Sequence, residues 1–201
     1  MELIIATNNH HKAYELKPLF PRHELLMPAE LGIVDFNPEE NGTSFFENAR
    51  IKAEALYALV RRPVLADDSG LCVDALNGKP GIESARYGSV NGHLLSAEEK
   101  NSLLLSQLAG IENRHCAFVC CLVLYLGRQR FIAVEETLEG QISDAPQGSH
   151  GFGYDPIVFL PSHGKTVAEL SAQEKNRISH RGKAAQRMAA ILDALDGNLL
   201  D

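Results

Sequence analysis

The run from Ser44 to Gly70 constrains this chain more than any other stretch. Ser44-Phe45-Phe46-Glu47 has the form of a capping box. Phe46, Ala49, Ala53, Leu56 and Val60 then recur at helical spacing, and Pro63 stands just past the end. The helix leads straight into an apolar run, Val64-Leu65-Ala66, which reads as a buried strand ending at Asp67-Asp68, with Ser69-Gly70 as a turn. Unpaired carboxylates are costly to bury, so two in a row at a strand end need a metal, a base or hydrogen-bond donors beside them. Taken alone, the stretch is better read as a turn in which one Asp bonds backbone N–H groups. What raises it above that is the recurrence of polar and basic residues at other element ends, from which they can converge on this tip.

Ser44, Asn48 and Lys52 lie four apart and form one polar stripe on the helix, with Glu40 just upstream. Such a stripe is usually a wet face; here it is placed to look at the same acidic tip. At the N-terminus, Glu2–Ala6 reads as a strand, Thr7-Asn8-Asn9 as a polar turn, and His10–Phe20 as a helix with Tyr14, Leu16 and Leu19 inward and Pro18 a weak point. A strand, a polar turn and a helix start form a generic phosphate-binding geometry. Lys12 in that first turn opposes the helix dipole. An anion above it would account for it, and so would plain solvation.

His23–Met27 reads as a second strand, and Glu30–Asn41 as an acidic, turn-rich connection. Ser96 opens a helix running to Leu108 and stopped by Gly110. Two long strands follow, Cys116–Leu126 and Arg130–Glu139, joined at Gly127-Arg128-Gln129 as a hairpin. In Gly151-Phe152-Gly153-Tyr154-Asp155-Pro156, aromatics among glycines either offer rings to a flat ligand or tuck into the core. Ser171-Ala172-Gln173-Glu174 caps a short helix carrying Lys175, and Ser179-His180-Arg181 opens a final one with Ala184, Met188, Ile191 and Leu192 inward.

At 201 residues the chain fits a single domain, 1–201, with two lobes. No apolar run approaches the roughly 20 residues of a membrane span, and the first residues lack the pattern of a signal peptide. We therefore expect a cytoplasmic protein. Its four cysteines show no zinc spacing and read as buried free thiols. A formal net charge of −7 argues against general nucleic-acid or anionic-membrane binding, but not against one small anion in a local basic pocket.

Three carboxylates (Glu40, Asp67, Asp68) and three lysines on separate elements (Lys12, Lys52, Lys175) suit Mg²⁺ bound together with a polyphosphate. Adjacent strand residues point to opposite faces. We therefore assign Asp68 with Glu40 to the metal, Asp68 also to base work, and Asp67 to an orienting role. The guanidinium fork of Arg181 matches the O6 and N7 acceptors of a 6-oxo purine, and adenine would present a donor where O6 is needed. His180, at a helix N-terminus, is expected neutral. Unaided, this cluster is a helix cap with two exposed side chains.

These motifs together resemble the inosine/xanthosine triphosphate pyrophosphatases. The matching pieces run in order along almost the whole chain: Ala6-Thr7-Asn8-Asn9 with Lys12; Glu40, Gly42, Ser44-Phe45, Glu47-Asn48-Ala49 and Lys52-Ala53; Ala66-Asp67-Asp68-Ser69-Gly70-Leu71; Pro80-Gly81 with Ser84-Ala85-Arg86-Tyr87; Gly151 to Pro156; and Glu174-Lys175 with Ile178-Ser179-His180-Arg181. The resemblance implies an α/β fold: a mixed, strongly twisted central sheet flanked by helices, in two lobes around a nucleotide-binding cleft, assembled as a homodimer. It implies a Mg²⁺-dependent hydrolase that splits ITP, dITP and XTP between the α and β phosphates, with ATP and GTP poor substrates. It assigns Thr7, Asn8, Asn9, His10, His11 and Lys12 to substrate phosphates, and Glu40 and Asp68 to the metal, Asp68 being the proton acceptor. Ser69, Phe152, Gly153, Tyr154, Asp155, Lys175, His180 and Arg181 are assigned to the nucleotide, and Lys52 to the neighbourhood of the phosphates.

Asn8 stands where many members have Gly, and His10-His11 where smaller residues are common. A pyrimidine-specific hydrolase of the same fold is disfavoured by Ser179-His180-Arg181, and a non-catalytic nucleotide binder by the intact Glu40, Lys52 and Asp68. A haloacid-dehalogenase-type phosphatase would need Asp-x-Asp, which Asp67-Asp68-Ser69 does not supply.

Overall fold

The computed structural model describes residues 1–90 and 92–195. Seven strands form one mixed sheet in the order β2-β1-β3-β4-β5-β6-β7. These are β1 (Glu2–Ile5), β2 (Glu24–Leu26), β3 (Val64–Val73), β4 (His115–Gly127), β5 (Arg130–Ile142), β6 (Val158–Leu160) and β7 (Lys165–Thr166). β1 runs parallel to β2 and β3, whereas β6 is antiparallel to β5 and β7. Among the described residues five α-helices accompany them: α1 (His10–Leu16), α2 (Phe45–Val60), α3 (Ala97–Gln107), α4 (Ala172–Ile178) and α5 (His180–Ala194). Among the described residues no helix is long and apolar enough to cross a membrane.

The chain divides into two compact units. The first comprises Met1–Asp68, Cys120–Glu136 and the described residues 180–195. Its strands alternate in burial partner, as a two-residue period requires. Leu3, Ile5 and Leu65 pack with Ala13 and Leu16 of α1 and with Ala184 and Met188 of α5. Ile4, Val64 and Ala66 pack on the other side with Ala49, Ala53 and Leu56 of α2. The fully buried Leu56 contributes roughly 1.5–3 kcal/mol by leaving water. The second unit, Ser69–Val119 and Thr137–Ser179, has its own core. There Leu71, Val73, Phe118 and Ile157 pack with Leu104 and Leu108 of the α3 region.

Three local readings change. The Ser69-Gly70 turn does not form: β3 continues unbroken to Val73, so Asp67 and Asp68 lie inside a ten-residue strand rather than at its tip. Hydrogen-bonding to neighbouring strands overrides the turn preference of Ser-Gly. The expected helix at 10–20 ends at Leu16 and tightens into a 3₁₀ turn at Lys17–Leu19, as Pro18 removes a backbone donor. Tyr14 is 72% exposed rather than inward, and Ala13 and Leu16 carry the buried face. Ser44 does cap α2, accepting from Glu47 N, but the reciprocal arm differs: the Glu47 carboxylate takes Thr43 N at 2.6 Å and Thr43 Oγ1 at 2.7 Å.

The β4–β5 connection matches its sequence signature. Arg128 and Gln129 adopt φ of +52° and +60°, the left-handed conformations a two-residue hairpin turn needs, and Gly127 just before them lies at +85°. Gly127 is further constrained because a Cβ there would overlap the Tyr57 phenol, whose ring packs edge-on against Tyr125 at 5.2 Å. Gly127→Ala should therefore lower stability by about 1–3 kcal/mol through strain and overlap together. Urea unfolding checks this: the midpoint falls at an unchanged slope, and an unshifted midpoint would show that the turn yields without cost.

Candidate active site

Strand alternation sends the two adjacent carboxylates of β3 to opposite faces of the first unit. Asp67 follows Leu65 toward α1 and α5. Its Oδ1 takes the Lys12 ammonium, and its Oδ2 accepts from Arg181 Nε at 2.9 Å and from the Cys120 thiol at 3.2 Å. Arg181 Nη1 reaches Glu15 Oε2 at 2.6 Å. Asp67 and Arg181 are 1% and 2% exposed. Burial pulls the Asp67 carboxyl up, but Arg181 and Lys12 outweigh it and hold the pKa well below the usual carboxylate range. Burial, and after it the charge of Asp67, push the Cys120 thiol well up against the pull of Arg181 and Lys12, so it acts as a neutral donor.

Asp68 follows Ala66 toward α2. Lys52 Nζ donates to its Oδ1 at 2.7 Å and lies 3.4 Å from Glu40 Oε1. The Ser44–Asn48–Lys52 stripe is therefore not a wet face: Asn48 is fully buried and Lys52 is 7% exposed. Burial works against the Lys52 ammonium, yet Asp68 and Glu40 together raise its pKa. Burial dominates at Asp68 and lifts its carboxyl to about 6 despite Lys52. Asp68 Oδ2 is buried without a hydrogen-bond partner. Such an atom beside a second carboxylate fits a hard cation, whereas an apolar interior would penalise it. Among the described residues no set of three or more His, Cys, Asp or Glu side chains is arranged to hold a metal.

The β1–α1 turn is closed by its own side chains. Asn9 Oδ1 caps His11 N at 2.9 Å and Lys12 N at 3.4 Å, and Thr7 Oγ1 accepts from Asn9 N at 3.0 Å. Asn8 Nδ2 crosses to the Phe36 carbonyl at 2.5 Å, tying the acidic connection to this turn. A glycine at position 8 has no side chain to do this. His10 and His11 are exposed, and Lys12 is neither solvated nor alone, since Asp67 holds it. Ser69 follows Asp68 along β3, partly buried. His180 opens α5 at 4% exposure, so the Ser179-His180-Arg181 cluster is not a cap with two exposed side chains. The sequence reading gives Arg181 a fork open to a base edge; here its Nε and Nη1 are held by Asp67 and Glu15.

The other expected nucleotide residues gather in the second unit. Asp155 Oδ2 takes Lys175 Nζ at 2.6 Å and Phe152 N at 2.8 Å, and both members of the ion pair are buried. A Cβ at Gly151 would overlap that carboxylate, so only glycine fits there. Lys175 Nζ stands 4.8 Å from the centre of the Phe152 ring. The two aromatics divide: Phe152 stays partly exposed, while Tyr154 is in the core, its hydroxyl donating to the Ser84 carbonyl at 3.1 Å.

Sequence reasoning missed Glu15 and Cys120. Glu15 carries a readable signal, because it lies one turn after Lys12 and beside the inward Leu16. Cys120 shares a strand face with Leu122 and Leu124, but nothing in the sequence pairs that face with Asp67.

Asp68 gives a pH signature of definite sign. Its folded pKa lies above the unfolded value, so the native state binds more protons than the unfolded one between about pH 4 and 6. Its contribution to stability therefore falls as pH rises through that window. Without divalent ions, Asp68→Asn should gain stability relative to the parent between pH 4 and 6 and hold a constant difference above. Denaturant unfolding at several pH values measures this, and a pH-independent difference would remove Asp68 as the titrating group.

Residues 3–191 match the model of the Ham1 family. A dITP/XTP pyrophosphatase of Treponema denticola is 54% identical over 184 residues, 92% of this chain and 94% of the relative. One from Geobacillus kaustophilus is 43% identical, covering 93% of this chain and 92% of its own. The Staphylococcus aureus Ham1 protein structure superposes with a TM-score of 0.86 at 41% identity, covering 96% of this chain and 99% of that one. The structure of a HAM1 protein from Coxiella burnetii gives 0.87 at 36% identity with the same coverage. The layered fold, the paired carboxylates of β3 and a match over nearly the whole length agree, and this chain belongs to the Ham1 family.

Proposed function

We propose that this protein is a dITP/XTP pyrophosphatase that removes deaminated purine nucleotides (ITP, dITP and XTP) from the nucleotide pool. Water is added across the anhydride between the α and β phosphates, giving the monophosphate and pyrophosphate. The observation that carries this reading is the Glu40–Lys52–Asp68 arrangement, with one Asp68 oxygen buried and unpaired. A pure binding protein gains nothing from such an oxygen, which costs stability.

Within this proposal Glu40 and Asp68 would hold Mg²⁺, a cation commonly bound through one or two carboxylates. The ion supplies Lewis-acid neutralisation of phosphate charge. Asp68 accepts the proton of the attacking water. Without the ion, burial lifts its carboxyl to about 6, which makes it a stronger base than an exposed aspartate. Lys52 and Lys12 supply positive charge toward the phosphates, with the Thr7 to Lys12 turn, including Asn8, Asn9, His10 and His11, as the phosphate-facing segment. Asp67 orients Lys12 and Arg181.

In the second unit, the Phe152 ring beside Lys175 supports a stacking surface for a flat base, with Gly153, Tyr154 and Asp155 completing that loop. Ser69, His180 and Arg181 are assigned to the nucleotide on the strength of the motifs. The resemblance also supports a homodimer and a cytoplasmic location as parts of the same proposal.

Incubation with ITP, dITP, XTP, ATP, GTP and dTTP in Mg²⁺, with products resolved by chromatography, tests it. The three deaminated purines should be cleaved to monophosphate and pyrophosphate, and the others poorly. Orthophosphate as the direct product, or ATP as the best substrate, would overturn the reading. Asp68→Asn should lower kcat by about 10²–10⁴-fold while nucleotide binding persists. Near-parental turnover would take Asp68 out of the chemistry.

A further inference from the structure

Glu40 lies in a connection without helix or strand, residues 33–42. Its carboxylate is 30% exposed and its ion pair with Lys52, at 3.4 Å, is long. A carboxylate on an irregular segment binds a cation well only if its backbone is held, because each freely moving torsion must be frozen on binding. The hold comes two and three residues on, from consecutive residues in the first turn of α2. Asn48 Oδ1 accepts from Gly42 N at 2.9 Å, and Glu47 Oε2 accepts from Thr43 N at 2.6 Å.

The Asn48 clamp is specific in two ways. Gly42 approaches so closely that a Cβ there would stand 2.7 Å from Glu47 Cβ and 2.8 Å from Asn48 Oδ1, inside any tolerated contact. Asn48 is fully buried, and its Nδ2 has no hydrogen-bond partner. An unpaired buried amide donor costs stability, so folding alone favours a smaller apolar residue at this position. What the carboxamide provides in exchange is the acceptor on Gly42. One helical turn further along the same face stands Lys52, which holds Glu40 and Asp68 directly.

We propose that Asn48 is a positioning residue for Glu40: by accepting the Gly42 N–H it sets the affinity of the Glu40–Asp68 pair for a divalent cation. This deepens the proposed function and rests on its metal assignment. Ser44, Asn48 and Lys52 then divide one task along a single helix face. Ser44 fixes where the helix begins, Asn48 fixes the loop that carries Glu40, and Lys52 fixes the spacing of the two carboxylates.

Binding of Mn²⁺ alone to the full-length protein, read from the electron paramagnetic resonance of the free ion, tests the proposal without turnover. Asn48→Ala should weaken Mn²⁺ binding by about tenfold, the lower end of what supporting residues around metal ligands contribute. Gly42→Ala, which disturbs the same contact from the other side, should do likewise. Leu56→Val, a core change on the same helix, should leave Mn²⁺ affinity at the parental value, with circular dichroism confirming that every variant is folded. Glu40→Gln separates the two layers of the argument. If Glu40→Gln weakens Mn²⁺ binding while Asn48→Ala and Gly42→Ala do not, the positioning role is overturned and the metal assignment stands. If Glu40→Gln leaves binding unchanged, the metal assignment fails and the positioning role falls with it. Equal weakening by Leu56→Val would reduce Asn48 to a general structural residue and overturn the proposal.

Discussion

Two carboxylates sit side by side in the middle of a buried strand, and the first unit is arranged so that each meets its own cation. Pleating sends Asp67 and Asp68 to opposite faces, so no single lysine can serve both closely. The face covered by α1 and α5 supplies Lys12 and Arg181; the face covered by α2 supplies Lys52. Removing any of these cations would leave a charge in a poorly solvated place, a loss of several kcal/mol in comparable buried pairs. Helix placement is thus coupled to charge as well as to the packing of Leu65 and Ala66.

The two sites so formed are electrostatically unlike. Asp67 is surrounded by donors: an ammonium, a guanidinium and a thiol meet its two oxygens, and it stays ionised far into acid. Asp68 is buried with one ammonium and one unpaired oxygen, and its affinity for a proton rises. Neighbours in sequence with carboxyl groups pushed in opposite directions make a natural division of labour, one holding its surroundings in place and the other available for a cation or a proton.

Much of this is legible in the sequence. The period of Phe46, Ala49, Ala53, Leu56 and Val60 gave α2, Ser44 gave its start, and Gly127-Arg128-Gln129 gave the hairpin, because each depends on interactions within a few residues. The errors share the opposite character. Ser69-Gly70 has a turn's composition, but β3 continues through it because its hydrogen bonds go to other strands. Tyr14 looks like a core residue, yet Ala13 and Leu16 define the inward face. Glu47 fits a capping box, but Thr43 offers it two donors. In Gly151 to Asp155, glycine spacing announced a tight loop without saying that Tyr154 would be buried and Phe152 left at the surface.

By itself the sequence determined which family the chain belongs to, since motif spacing and residue type are one-dimensional properties. It also determined that Asp67 and Asp68 face opposite ways and meet different partners, because strand alternation follows from backbone geometry alone. Only the tertiary structure decided who meets whom: Arg181 with Asp67 and Glu15, Cys120 with Asp67, Asn8 with Phe36, and Asn48 with Gly42. All but the last join residues that sequence separation and local periodicity leave unrelated. The reason is physical: a buried charge or amide is satisfied by whatever donor the packing of distant elements brings within about 3 Å, and that distance is fixed by the fold as a whole.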